Sequence, residues 1–406
     1  MFYVYLIFSL LCGVVSILGD HIGVGMLDYA LFSMFLAISV VMARKRFVVP
    51  RSYMLILVAY ILLMSVNAYL SPYTAGIKYV VIGAVATLMP FILFMVSYNY
   101  VMDDRDLSRL IDAMIYLVLA MCGIAVVETL LFPPVYEMSS ILKISVIKPG
   151  FFASMCNQGV ILSLYQYSIS HKKKYRNLAL ILSVAAVLTI QLKVIAGLAC
   201  IWLLYSLFMS KKKQRARSIA MMLSCTIVVV FAVSKIPSLS AKVEKYIGLY
   251  GEDNSYETVA RPALYYQSVN IANDFFPLGS GQGTFGSIPV NMIYNPVYYD
   301  YGLNGIYGLG ETGDNFKMDT HWSNILGENG YLGTLLYLLL FCYPLRYIRK
   351  IRNHPKYRSV RFLMTTVIVV VMFESLTLCI PGRMAFMFIY AGVLSIICRK
   401  ISMSRL

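Results

Sequence analysis

Apolar runs of helix length recur along the chain, separated by short polar stretches, and a long polar segment intervenes only once. The runs lie near 2–19, 22–43, 53–70, 79–101, 110–132, 158–170, 177–191, 194–210, 218–234, 330–348, 362–380 and 384–398. A helix crossing the hydrocarbon core needs about 20 mostly apolar residues. The pattern therefore predicts an all-α polytopic membrane protein with about 12 transmembrane helices. Nine helices fill 1–235, a large loop domain between helices 9 and 10 occupies 236–329, and three helices with a tail fill 330–406. The apolar stretch from Met1 to Gly19 has no basic leader and no small-residue cleavage site, so it reads as a retained first span.

Composition agrees with the pattern. The 406 residues are 59% hydrophobic and 13% charged, with mean hydropathy +0.72, whereas a soluble domain carries roughly 25% charged residues. A net charge of +16 raises nucleic acid as a partner, but the placement of the basic residues argues for topology instead. They gather at Arg44 to Arg51, Arg105 and Arg109, Lys172 to Arg176, Lys211 to Arg217, Arg346 to Arg361, and Arg399 to Arg405, and these clusters hold 25 of the 35. The clusters fall on alternate connections, which puts both termini in the cytoplasm and the long loop outside. Seven of the eight cysteines sit in apolar runs, Cys156 lies in a candidate loop, and no CxxC pair occurs. Neither a disulfide framework nor a zinc site is expected.

The segment 236–327 has a different balance: four basic residues against nine acidic ones, with ten tyrosines and five prolines. It suits a folded cap of short helices and turns, and it is too rich in Tyr, Phe, Ile and Leu to be disordered. Against its net charge of −5, Arg261 is a minority charge that needs a partner. Pro262 behind it fits the first turn of a helix. A guanidinium there can fork onto phosphate oxygens, or it can pair with Glu257 at the surface. Lys193 stands in the short turn Gln191-Leu192-Lys193 between two apolar runs. It either snorkels to the headgroups or offers an ammonium to a lipid phosphate, and Lys148 in Ile147-Lys148-Pro149-Gly150 invites the same two readings.

The glycine run Gly279-Ser-Gly-Gln-Gly283 follows no strand and precedes no GK[ST], so a nucleotide site is excluded. Its role is a close turn bringing backbone toward a substrate or a helix end. In Asp319-Thr-His-Trp-Ser-Asn-Ile-Leu-Gly-Glu328, a helix starting near Thr320 places His321, Asn324 and Glu328 on one face. His321 can accept a proton or bond a phosphate, and Glu328 can orient it or tether an arginine. The plainer alternative is capping by Asp319 or Thr320 with Trp322 as an interfacial anchor. Tyr294, Tyr298, Tyr299, Tyr301 and Tyr307 suit sugar rings as well as an interfacial belt. Asp28, Glu128 and Glu374 lie inside apolar runs, where an acidic group costs about 2.5–3.5 kcal/mol near a helix centre. They act either in proton relays or in hydrogen bonds between helices. No internal repeat of the kind expected in an inverted-repeat transporter is visible.

An arginine-headed helix, then Phe276-Pro-Leu-Gly-Ser-Gly-Gln-Gly-Thr-Phe285, a tyrosine-rich stretch, and Asp319-x-His-Trp-x-x-Ile-Leu-Gly-Glu-x-Gly entering a span together resemble bacterial O-antigen and capsular polysaccharide polymerases, which share a superfamily with the O-antigen ligases. The likeness is closest over about 258–333. It implies a multipass glycosyltransferase of the bacterial inner membrane that moves a growing glycan from undecaprenyl pyrophosphate to a new lipid-linked repeat unit. The alternatives are a ligase transferring glycan to lipid A core and a flippase for the same lipid-linked sugars. The implied catalytic residues are Arg261, His321 and Glu328, and the implied substrate-binding residues are Lys193, Lys148, Asp319, Asn324 and Tyr265. Lys193 and Lys148 stand where relatives often have arginine, which keeps the charge and loses the fork. His321 matches the ligases, whereas such polymerases often carry another residue there. Expected partners are the lipid-linked oligosaccharide, membrane lipids and a chain-length regulator. Neither a metal nor another cofactor is expected, because pyrophosphate already leaves readily and cations can stabilise its charge.

Overall fold

The structure, a computed structural model, describes residues 2–22, 27–43, 47–131, 149–189, 191–210, 255–313, 315–379 and 384–404. Lys148, the apolar run 218–234, the polar segment up to 254 and the side chain of Asp28 lie outside the described residues. Among the described residues every regular element is helical. The helices of the first half are α1 (Phe2–Ile22), α2 (Leu27–Ala43), α3 (Arg51–Leu70), α4 (Ile77–Ser97), α5 (Asp104–Leu131), α6 (Pro149–Ser170), α7 (Lys173–Leu188) and α8 (Leu192–Met209). The polar segment supplies α9 (Ser255–Thr258), α10 (Ala260–Asp274) and α11 (Val297–Asp300). The chain continues with α12 (His321–Phe341), α13 (Leu345–Ile351), α14 (Arg358–Glu374), α15 (Met384–Met387) and α16 (Leu394–Met403), the last two joined by a π-helical turn at Phe388–Val393.

Four of these, α3, α4, α5 and α8, are long and apolar enough to cross a membrane, and the pair α12 and α13, bent by 42°, makes a fifth if it acts as one span. The composition of α3 shows why. Tyr53, Leu57, Tyr60, Met64 and Asn67 recur at helical spacing and are buried, yet Leu55, Leu62, Val66 and Leu70 on its other faces are exposed. A helix apolar all round with one face uncovered is suited to lipid. Lipid removes most of the hydrophobic drive between helices, so packing and ring contacts hold the bundle. Tyr53 meets Tyr343 with centroids 4.9 Å apart, and Phe91 meets Tyr337 at the same separation.

Helix α6 begins nine residues earlier than the hydropathy of 158–170 suggests. Polar Asn157 and Gln158 interrupt the apolar run, but both are buried against other helices. Cys156 consequently lies inside a helix, not a loop, with its Sγ 3.8 Å from that of Cys122 on α5. The polar segment builds a second, smaller apolar core from Ala263, Leu264, Ile271, Phe285, Val290, Val297 and Tyr298. Its described part from Ser255 onward consists of helices and turns.

The largest departure from a simple bundle is α12. Gly330 interrupts it at φ 60, ψ −165. On a straight helix, residues 321 and 337 would stand about 24 Å apart. Instead His321 Nε2 is 2.8 Å from the Tyr337 hydroxyl, and Trp322 and Phe341 have ring centroids 6.0 Å apart. The two halves, 321–329 and 331–341, therefore double back on each other at Gly330. A Cβ at Gly330 would lie 2.3 Å from the Leu278 carbonyl carbon, so space as well as dihedral requires glycine there.

Candidate functional site

A half-helix that stops inside a protein leaves its last carbonyls without partners. The glycine run supplies them. Ser280 N–H donates to Gly327 O at 2.8 Å and Gly281 N–H to Glu328 O at 3.1 Å, while Asn67 of α3 adds a side-chain donor to Glu328 O at 2.6 Å. A Cβ at Gly279 would sit 2.3 Å from the Gly327 oxygen, which explains glycine at the closest approach. The glycine run is thus a cap on a helix end.

Glu328 is fully buried, and its carboxylate is held by the same loop. Oε1 accepts from the Phe285 N–H at 3.0 Å and from the Ser287 hydroxyl, and Oε2 accepts from Gln282 Nε2 at 2.9 Å. Asn324 donates to Gly286 O at 3.1 Å. These contacts correct the expectation that Glu328 orients His321 or tethers an arginine. Its acceptors are spent on the loop, one turn beyond Asn324, and both residues bind 282–287 to the half-helix.

His321 is 5% exposed and has protein partners on both ring nitrogens. Nε2 meets the Tyr337 hydroxyl, and Nδ1 lies 3.5 Å from Cys379 Sγ. Its backbone N–H, one of the orphan donors of a helix start, reaches Ser375 O at 3.3 Å. That carbonyl belongs to the exit from α14, and the next two carbonyls are used in the same way. Tyr265 of α10 donates its hydroxyl to Leu376 O at 2.7 Å, and Lys193 of α8 donates Nζ to Thr377 O at 3.3 Å. Three elements far apart in the chain thus converge on carbonyls 375, 376 and 377. Burial pushes the Tyr265 hydroxyl up to about 12, against the opposing pull of Arg261, so it remains a donor at neutral pH.

Arg261 lies in the first turn of α10, as Pro262 predicts. Its partner is Asp319, with Nη2 to Oδ2 at 2.9 Å, and not Glu257. The two side chains keep 31% and 29% of their accessible surface. A pair this exposed contributes about 1 kcal/mol or less. Lys193 and Tyr265 bond neighbouring carbonyls, Tyr265 stands one turn after Arg261 on α10, and Arg261 pairs with Asp319. Lys193, Arg261, Tyr265 and Asp319 therefore form one cluster above the α14 exit, with His321 packed beneath it. Lys317, the other described basic residue of the polar segment, is consumed inside the cap. It donates to Gly310 O at 2.9 Å and lies 5.4 Å from the Tyr294 ring centroid, and burial draws its ammonium below the usual range against the influence of Glu311.

Several participants carried no signal of their own in the sequence. Thr377 and Cys379 sit in an ordinary apolar run, and Asn157 looks like an interruption of one. Glu374 was visible only as an acidic group in a hydrophobic stretch, and it is used between helices: Asn157 Nδ2 donates to its Oε1 at 2.6 Å. Comparison of the sequence with models of known protein families finds no match. Comparison with curated proteins finds none either.

Proposed function

We propose that this chain is a membrane-embedded glycosyltransferase whose cationic cluster, Lys193 with Arg261, binds the pyrophosphate of a lipid-linked glycan. The reaction is polysaccharide polymerisation: the growing glycan moves from undecaprenyl pyrophosphate to the non-reducing sugar of a new lipid-linked repeat unit. The observation that carries this reading is the meeting of two cations from distant elements, one on an apolar helix and one at the head of a cap helix. Such a place suits a substrate whose lipid lies in the bilayer and whose sugars lie in water. In this reading the chain has about 12 spans, both termini are cytoplasmic, and the domain 236–329 faces out from the bacterial inner membrane.

The chemistry asks little beyond placement. An acceptor hydroxyl attacks the anomeric carbon, a C–O bond forms, and the bond from that carbon to the pyrophosphate oxygen breaks. Pyrophosphate keeps the electron pair, and the hydroxyl proton passes to water. Lys193 and Arg261 stabilise the charge growing on the leaving group. Asp319 holds Arg261 ready, and Tyr265 closes the wall between them. His321, Asn324 and Glu328 fix the half-helix and loop that carry Asp319, and Lys148, one residue before α6 in the sequence, is a further cation that the reading assigns to substrate binding. A side chain at Gly150 would begin 3.7 Å from the Lys193 ammonium.

The test is the surface glycan of a deletion strain complemented with Arg261→Ala. A polymerase variant should insert and leave single repeat units on the final acceptor. Full-length chains still on the carrier lipid would identify a ligase, units trapped on the cytoplasmic side would identify a flippase, and normal polymer would remove Arg261 from the mechanism.

A further inference from the structure

Beneath Lys193 lies a buried carboxylate that the reaction as written does not use. Glu374, the last residue of α14, is wholly buried. Its Oε1 accepts from Asn157 Nδ2 at 2.6 Å, and the same amide also donates to Val194 O at 3.0 Å, one residue beyond Lys193. Asn157 thus ties the first turn of α8 to the glutamate. Gly197, one turn after Lys193, makes the space: a Cβ there would lie 3.0 Å from both Asn157 Nδ2 and Glu374 Oε1. The other carboxylate oxygen, Oε2, makes no hydrogen bond of normal geometry, and the Ser154 hydroxyl of α6 is the further side chain that acts on this carboxyl.

A carboxylate kept from water with one oxygen short of a normal hydrogen bond is costly, and a hydrogen bond between helices needs only a neutral acceptor. The charged groups facing this region from the packed elements are Lys193 from α8, Arg261 from α10 and Asp319 before α12. Of these, Lys193 donates its Nζ to the Thr377 carbonyl, three residues beyond Glu374, at 3.3 Å, and the first turn of its helix is tied to the glutamate through Asn157. The ammonium therefore has a neutral backbone acceptor, while the buried Glu374 carboxyl is held near its helix by Asn157.

We infer that Glu374 is a resident counter-anion for Lys193: a positioning residue that competes with the substrate's pyrophosphate for the ammonium, and so sets how tightly that group is held and how readily it is released. The inference rests on the pyrophosphate reading of the cationic cluster. Asn157 has the complementary task of holding the carboxylate back. Removing the charge and removing the restraint should then have opposite effects, which a merely structural pair would not produce.

The experiment titrates the full-length protein in nanodiscs with inorganic pyrophosphate and, separately, with farnesyl pyrophosphate. Glu374→Gln should tighten binding by about tenfold, the scale of one unit charge several ångströms away in a partly screened site. In turnover it should lower KM and kcat together, as slower release requires. Asn157→Ala should weaken binding. Glu374→Asp, which keeps the charge, should stay near the parent and serves as the reference if either other variant is poorly folded. Tighter binding in the farnesyl arm identifies the lipid-borne group as the ligand, and equal binding identifies free pyrophosphate; the Glu374→Gln ratio decides the inference in both. An unchanged or weakened affinity in well-folded Glu374→Gln, or a loss in Glu374→Asp equal to that in Asn157→Ala, overturns it. If Lys193→Ala leaves binding unchanged, the pyrophosphate reading itself fails.

Discussion

Replacing Glu328 with alanine should loosen the glycine run without unfolding the bundle. The carboxylate is fully buried and satisfies three donors: the Phe285 N–H, the Ser287 hydroxyl and the Gln282 amide. Each donor left unpaired in a buried site costs about 1–3 kcal/mol. Water entering the new cavity recovers part of this, so a net loss of about 3 kcal/mol is expected, at the low end for a broken buried charged network. The loss is local, because the backbone bonds from Ser280 and Gly281 to the half-helix end remain. Local opening governs amide exchange, so amides in 282–287 should exchange about a hundredfold faster in Glu328→Ala. Hydrogen–deuterium exchange on the protein in nanodiscs measures this, with peptides from α5 as the unaffected reference. Glu328→Gln, which retains one acceptor oxygen, should fall between. Unchanged protection of 282–287 in the alanine variant would refute the assignment of Glu328 as the anchor of this loop.

The remaining expectations concern the hairpin and the cluster. Gly330→Ala must place a Cβ 2.3 Å from the Leu278 carbonyl carbon at a positive φ; it should abolish recovery of monodisperse protein, read by size-exclusion chromatography. Tyr337→Phe removes the hydroxyl on His321 and should cost about 1 kcal/mol, read as a lowered thermal midpoint. Tyr265→Phe should cost a similar amount. The parent should show no activity step from Tyr265 between pH 7 and 10, because its hydroxyl titrates only near about 12; a step there that Tyr265→Phe removes would contradict this.

Parts of this arrangement were legible in the residues. Pro262 marked the head of α10, the glycine run was readable as a turn against a helix end, and the mixture of prolines and tyrosines announced a folded cap. The hairpin in α12 was not, because the run after Gly330 is long and apolar enough to read as the start of a span, and periodicity carries no sign of a chain doubling back. The partner of Arg261 was equally hidden. Asp319 is 58 residues away, and local spacing favoured Glu257. Hydropathy also placed the start of α6 too late, since buried amides such as Asn157 look like loop residues until the helices that satisfy them are in place.

The α14 exit has a consequence for how the protein is made. Carbonyls 375, 376 and 377 receive the His321 N–H, the Tyr265 hydroxyl and the Lys193 ammonium, and all three donors are synthesised before their acceptors. A ribosome that has produced every charged residue of the cluster has still not produced the backbone that gathers them. The cluster can close only when α14 arrives, so assembly of the site waits until the chain has been made through residue 377.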